Sequence, residues 1–293
     1  MTFIAIVLFV LGLVVGSFLN VLIIRYQPEQ GLFHHKSIGG RSRCVQCLRN
    51  LNWYELIPLV SFLVLCGKCR TCKLGISIQY PIVELLTGGI WLLPVVWFYE
   101  YHIDALVAAG QNVVWFYLWS WTLVAALTIL LLIAVIDLRT GYIPDEANIG
   151  VAMTGVLHMA VLAWYNKFDV IYGSFLGNFS ILFGLRDGVI TNHIVAGFVG
   201  AGLFMLIVLV TKGAGMGMGD VKLAGALGLL LGWPDIIVAL MLSFFLGAFT
   251  GLVLIVLKKR TIHGAIPFGP FMVLGTTLTI LYGHGLVEWY LKI

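Results

Sequence analysis

The feature that most constrains this chain is a recurring run of about twenty apolar residues, the length that carries a helix across a bilayer. The first run, TFIAIVLFVLGLVVGSFLNVLII, starts at Thr2. Lipid offers backbone polar groups no water, so such runs must bond internally as helices. Only 10% of the 293 residues are charged and 61% are hydrophobic, whereas a soluble domain carries about a quarter charged residues. A soluble enzyme is therefore excluded. No low-complexity tract or short-period repeat is visible, so solenoids drop out as well.

The sequence predicts an all-α polytopic membrane protein with about eight transmembrane helices. The spans fall at about 2–24, 81–99, 113–136, 147–164, 190–211, 221–233, 235–257 and 266–288. Pro94 interrupts the second span, and the sixth is short. Segment 168–187 is apolar but broken by Gly173, Gly177 and Gly184, and reads as interfacial or re-entrant. The first run is too long for a secretory h-region and lacks a basic n-region and an A-x-A-like site, so it is expected to stay as an uncleaved span.

Charge sets the orientation. The loop after the first span carries Arg25, Lys36, Arg41, Arg43, Arg49, Lys68, Arg70 and Lys73, against Glu29 and Glu55. Lys258, Lys259 and Arg260 follow the seventh span, and loop 100–112 has Glu100 and Asp104 but no Lys or Arg. Cytoplasmic loops hold the Lys and Arg excess. Both termini are then outside and loop 25–80 is inside. Anionic lipid headgroups are the natural partner of this loop. The net charge of +4 is modest, and no nucleic-acid partner is expected.

All five cysteines lie in that loop. The cytosol is reducing, so metal ligation is expected over disulfides. Cys44-Val-Gln-Cys47 is one knuckle, and four thiolates in a tetrahedron suit structural zinc. The second knuckle is either Cys66/Cys69 or Cys69/Cys72, since both are CxxC. The flanks favour Cys69/Cys72. Lys68 stands before Cys69 as Arg43 stands before Cys44. Gly75 follows Cys72 at the same distance as Asn50 follows Cys47, and both types tolerate a left-handed turn. Cys66 is then a spare thiol, and His34 and His35 read as a solvated loop pair.

Among thirteen Asp and Glu residues, Asp137 and Asp220 stand out. Each is joined to strongly apolar sequence, and ionisable groups at membrane depth are costly and usually functional. Both fall at the inner end of a span. Gly217 and Gly219 precede Asp220 in GMGD and would let an extended substrate backbone lie beside the acid. Two like charges held close supply one base and one acid. Most other acids are expected on solvated faces or at span ends. Asp145 reads as an N-cap of the fourth span, and Asp187 as interfacial. Glu84, one turn inside the second span, is either a hydrogen-bonded structural acid or a functional one. Asn20 adds a polar group low in the first span.

The stretches GSFLNVLIIR, CVQC, IPLVSFL, KCRTCKLGISIQYPIVELLTG, IDLRTGYIPD, GMGMGDVKLAGALG and IPFGPF run in order over nearly the whole chain. With them the sequence resembles the bacterial type IV prepilin peptidases, a family of GxGD-type aspartic proteases that also methylate. The resemblance implies catalytic acids at Asp137 and Asp220 and zinc ligands at Cys44, Cys47, Cys69 and Cys72. It implies removal of a basic leader from prepilins or pseudopilins at the cytoplasmic face of the bacterial inner membrane, typically after a Gly. It further implies methylation of the new N-terminus with S-adenosylmethionine.

Residues 1–112 would then form the methyltransferase part with its zinc loop, and 113–293 the peptidase part. Glu84 and Asn20 are the candidates for methyl transfer. No nucleotide-type Gly fingerprint marks a methyl-donor site. Cys66 is additional to the usual four, and 165–190 matches no motif. The rival reading is a proton- or ion-coupled transporter that uses the same acids.

Overall fold

A computed structural model describes residues 2–32, 34, 39–100, 114–165, 174–176, 188–213, 215–258 and 266–291. Among these residues the regular structure is helical. The long helices are α1 (Thr2–Arg25), α3 (Gln79–Glu100), α4 (Val114–Thr140), α5 (Asp145–Tyr165), α6 (Val189–Val210), α8 (Asp235–Val256) and α9 (Gly269–Leu291). Two are short, α2 (Val60–Val64) and α7 (Met218–Leu231), and a 3-10 turn covers Trp53–Leu56. The seven long helices are each long and apolar enough to cross a membrane, so the chain is a multi-pass membrane protein.

Two span expectations change. α3 runs unbroken through Pro94, which membrane helices tolerate because neighbouring groups re-satisfy the freed backbone. The expected sixth span is α7, with 14 residues. At 1.5 Å per residue it is about 21 Å long, short of the roughly 30 Å hydrocarbon core. Asp187 and most of segment 168–187 lie outside the described residues, as does His35.

The chain divides into two compact units, Met1–Ser120 and Trp121–Ile293. In the first, α1 packs on α3 through small residues. A Cβ on Gly12 would stand 2.8 Å from Gly88 Cα, and one on Gly16 would stand 2.7 Å from Glu84 Cα. Only glycine permits backbones this close, the usual device where no hydrophobic effect drives helices together. Asn20 stitches the same interface. Its Nδ2 donates to the Tyr80 carbonyl at 3.0 Å, and its Oδ1 accepts Gln79 Nε2 at 3.4 Å.

In the second unit, α7 packs against both α5 and α6. A Cβ on Gly155 of α5 would meet Leu230 N at 2.9 Å, and one on Gly200 of α6 would meet the Ala224 carbonyl at 2.6 Å. Val221, Leu223, Ala224, Leu227 and Leu230 of α7 are buried. A helix wrapped by neighbours satisfies its apolar surface without spanning lipid.

Side chains of α6 finish the far end of α7. Asn192 donates from Nδ2 to the Trp233 carbonyl and accepts the Trp233 N–H on Oδ1, both at 2.8 Å. Asp235 lies at a span end, as expected of most of the remaining acids, but it does not face water. It is buried, with Oδ2 accepting Ser174 Oγ and Oδ1 accepting the Phe175 N–H, each at 2.8 Å. Buried acids need such partners, and these two come from a segment sixty residues away in sequence.

Candidate active site and metal centre

Asp137 sits in the last turn of α4 and is buried, with 4% of its surface exposed. Its Oδ2 accepts the N–H of Gly269, the first residue of α9, at 2.9 Å. A Cβ at 269 would fall 2.7 Å from that oxygen. The position therefore has to be glycine for the carboxylate to dock. Phe268 next to it is wedged between Phe204 of α6 and Phe244 of α8, with ring centroids 5.8 and 5.1 Å away. Aromatic packing among three elements thus seats the amide that holds Asp137. Sequence reading did not single out Gly269, although IPFGPF carried the only available signal.

Asp220 lies in the first turn of α7. Its Oδ2 accepts the N–H of Gly217 at 3.0 Å, and Gly217 is the N-cap residue. The carboxylate therefore satisfies one of the helix's open N-terminal amides. Asp220 and Asp137 are close enough to interact electrostatically, so the fold brings the two predicted acids together from different helices.

The glycines differ from expectation in one respect. Gly217 is extended (φ −90°, ψ 162°), and neither it nor Gly219 has positive φ. Gly219 is small for a packing reason, since a Cβ there would lie 3.2 Å from Ile143 Cβ. Asn148 donates to its carbonyl at 3.4 Å.

Asp145 is not the expected cap. α5 starts at Asp145, and the Pro144 carbonyl accepts the Asn148 N–H at 3.1 Å, in the capping position. The Asp145 carboxylate instead takes Lys222 Nζ on both oxygens, at 2.7 and 2.8 Å. Sequence could not reveal this pair, because its partners are 77 residues apart.

The Sγ atoms of Cys44, Cys47, Cys69 and Cys72 lie within 4.8 Å of one another. This cluster can hold a metal ion. Cys44 and Cys72 Sγ are 4.0 Å apart, near the roughly 3.8 Å edge of a tetrahedron with 2.3 Å zinc–sulfur bonds. Cys66 is exposed and outside the cluster.

The two knuckles are near copies. In each, the first Cys donates its N–H five residues on, Cys44 to Arg49 and Cys69 to Leu74, both at 2.9 Å. The residues flanking each knuckle pair as isolated bridges, Arg43 with Asn50 and Lys68 with Gly75. The left-handed residues are Leu48 and Lys73, both at φ 58°, and not Asn50 and Gly75 as the sequence suggested. Backbone N–H groups of Cys72 and Thr71 directed at its sulfur bring the Cys69 thiol down to about 6, which favours the thiolate that binds metal.

Glu84 is buried in α3, and its Oε2 accepts the Leu59 N–H at 2.9 Å. Ser17 of α1 lies next to the same carboxyl. Asn20 is buried one turn further along α1. Both methyl-transfer candidates thus line the α1–α3 interface, with their polar atoms bonded to the protein.

Two family models match the chain. One is the bacterial peptidase A24 N-terminal domain, over residues 10–98, and the other is the type IV leader peptidase family, over residues 123–252. A prepilin leader peptidase/N-methyltransferase of Aeromonas hydrophila is 31% identical, over 97% of this chain and 92% of its own. Proteins of the same name from Pseudomonas aeruginosa and Legionella pneumophila are each 29% identical over 96% of this chain, covering 91% and 92% of their own lengths. No solved structure matches the chain. On this similarity over almost its whole length, the chain belongs to the type IV leader peptidase family.

Proposed function

We propose that this chain cleaves the leader peptide of type IV prepilins or pseudopilins at the cytoplasmic face of the bacterial inner membrane and then N-methylates the new terminus. The observation that carries the peptidase reading is the Asp137–Asp220 pair, two carboxylates from separate helices, each held by a backbone amide. Those amides take Oδ2 of each acid and set its orientation, which leaves Oδ1 to work on a water. One carboxylate removes a proton from that water as it attacks the scissile carbonyl. The other gives a proton to the departing amine. A coupled pair titrates as a unit, so the base and acid roles belong to the dyad. An extended substrate backbone runs beside the Gly217–Gly219 turn, along Gly217, whose own backbone is extended, while Gly219 packs against Ile143.

The four-cysteine cluster holds one zinc as a structural element. Methyl transfer belongs to the N-terminal part, with Glu84 and Asn20 as its polar pair and S-adenosylmethionine as donor. Both side chains are already bonded to Leu59, Tyr80 and Gln79. They do not form a ready cradle for the donor. Both termini face outside, and the basic loop meets anionic lipid. Neither the relatives' names nor the site geometry favours the rival transporter reading.

The deciding experiment is the intact mass of a prepilin co-expressed with this protein. Loss of the leader reports cleavage, and one added methyl reports transfer. A full-length, unmethylated product beside well-expressed enzyme would overturn the proposal.

A further inference from the structure

Glu84 lies five residues into α3, about 7.5 Å along the helix axis, and α3 is a membrane-length helix from its first residue. The bond from the Leu59 N–H to this carboxylate therefore draws the loop chain down beside the first turns of a membrane helix. Leu59 carries φ 58° there, unusual for a leucine, and α2 starts at the next residue. On α2, Val60, Leu63 and Val64 share one face by helical spacing, and they are 52%, 71% and 74% exposed. Leu56 and Ile57, just before them, are exposed too, and so is Trp53.

An apolar stripe of this kind on a cytosolic loop would be costly in water, and a bilayer edge is the natural solvent for it. The surroundings suit that edge. Arg43, Lys68, Arg70 and Lys73 are exposed around the knuckles. Arg70 stacks on Tyr54 at 5.6 Å from the ring centroid, an aromatic–cation pair of the type found at headgroup level. The one acid of this stretch, Glu55, is neutralised by Arg49 at 2.5 Å.

We propose that residues 56–64 form a wedge that docks into the cytoplasmic lipid leaflet beside α3, with Glu84 fixing its depth through the Leu59 amide. The occupant of the stripe is lipid acyl chain, and the basic knuckles ride on anionic headgroups. The wedge would hold the metal-binding loop flat against the membrane, where a substrate chain must pass between cytosol and lipid.

The test uses the full chain in vesicles of phosphatidylethanolamine and phosphatidylglycerol. A photoreactive diazirine amino acid replaces Val60, Ser61, Leu63 or Val64, one at a time, and the adducts are identified by mass. Positions 60, 63 and 64 should give several-fold more lipid adduct than position 61. Equal labelling at all four positions, reaction with water alone, or a polypeptide adduct at 63 and 64 would overturn the wedge. Glu84→Leu removes the acceptor and should abolish the lipid adduct at 63, whereas Glu84→Gln keeps an acceptor and should retain it. An unchanged adduct in folded Glu84→Leu would overturn the depth-setting role, and if that variant fails to fold, the positional scan still decides the docking. No substrate is needed, so the outcome is independent of peptidase activity.

Discussion

At the scale of single residues, what distinguishes Asp137 and Asp220 is the company they keep. Each is oriented by a backbone amide, and among the described residues neither is tied up in a salt bridge. Asn in place of either acid keeps the shape and removes the proton chemistry. Asp137→Asn and Asp220→Asn should each slow leader cleavage by about a hundredfold or more, with the protein still inserted; a prepilin processing assay on gels checks this. Gly269→Ala should also slow cleavage without touching an acid, because its methyl would stand 2.7 Å from Asp137 Oδ2 and push the carboxylate off its amide. The same assay, with a melting curve to show retained fold, tests it. Asp145→Asn breaks a solvent-exposed ion pair with Lys222, worth at most about 1 kcal/mol. Its cleavage rate should stay near that of the unaltered protein.

At the scale of elements, close helix approach and duplicated knuckles organise the two units. Gly16 and Gly89 separate the packing effect from propensity. Gly16→Ala puts a methyl 2.7 Å from Glu84 Cα, whereas nothing lies within 4 Å of a Cβ at 89. Overpacking costs about 1–3 kcal/mol, so Gly16→Ala should lower the melting temperature in detergent and Gly89→Ala should not. The knuckles make a stoichiometric prediction. Metal analysis should find one zinc per chain, retained in Cys66→Ser and lost in Cys44→Ser, Cys47→Ser, Cys69→Ser and Cys72→Ser. Retention in Cys72→Ser with loss in Cys66→Ser would reverse the ligand set.

At the scale of the whole molecule, the two activities should separate. Glu84→Gln leaves the C-terminal acids untouched and should lower methylation of an already cleaved pilin while cleavage continues; intact mass of the product reads both. Because Gln still accepts the Leu59 N–H, this variant tests the charge at 84 and not the seat of α2. Reporter fusions should place residues 39–78 in the cytoplasm and the end of α9 outside, as the Lys and Arg distribution requires.

The sequence by itself determined what depends on local pattern. Runs of apolar residues dictate membrane helices, paired CxxC spacings dictate a four-thiolate cluster, and acids joined to apolar runs mark themselves by their cost. The choice of Cys69/Cys72 over Cys66/Cys69 was legible from flanking residues, because each knuckle is a self-contained turn. Tertiary structure alone decided what depends on partners distant in the chain. Gly269 became part of the site because α9 starts against the end of α4, 132 residues away. Asp145 became half of an ion pair because α5 and α7 start side by side. Asp235 became buried because Ser174 and Phe175 reach it. Glu84 gained a structural task because a loop amide descends to its depth. Helix period and ligand spacing are written in neighbouring residues, whereas a hydrogen bond between distant segments exists only once packing has brought its two ends together.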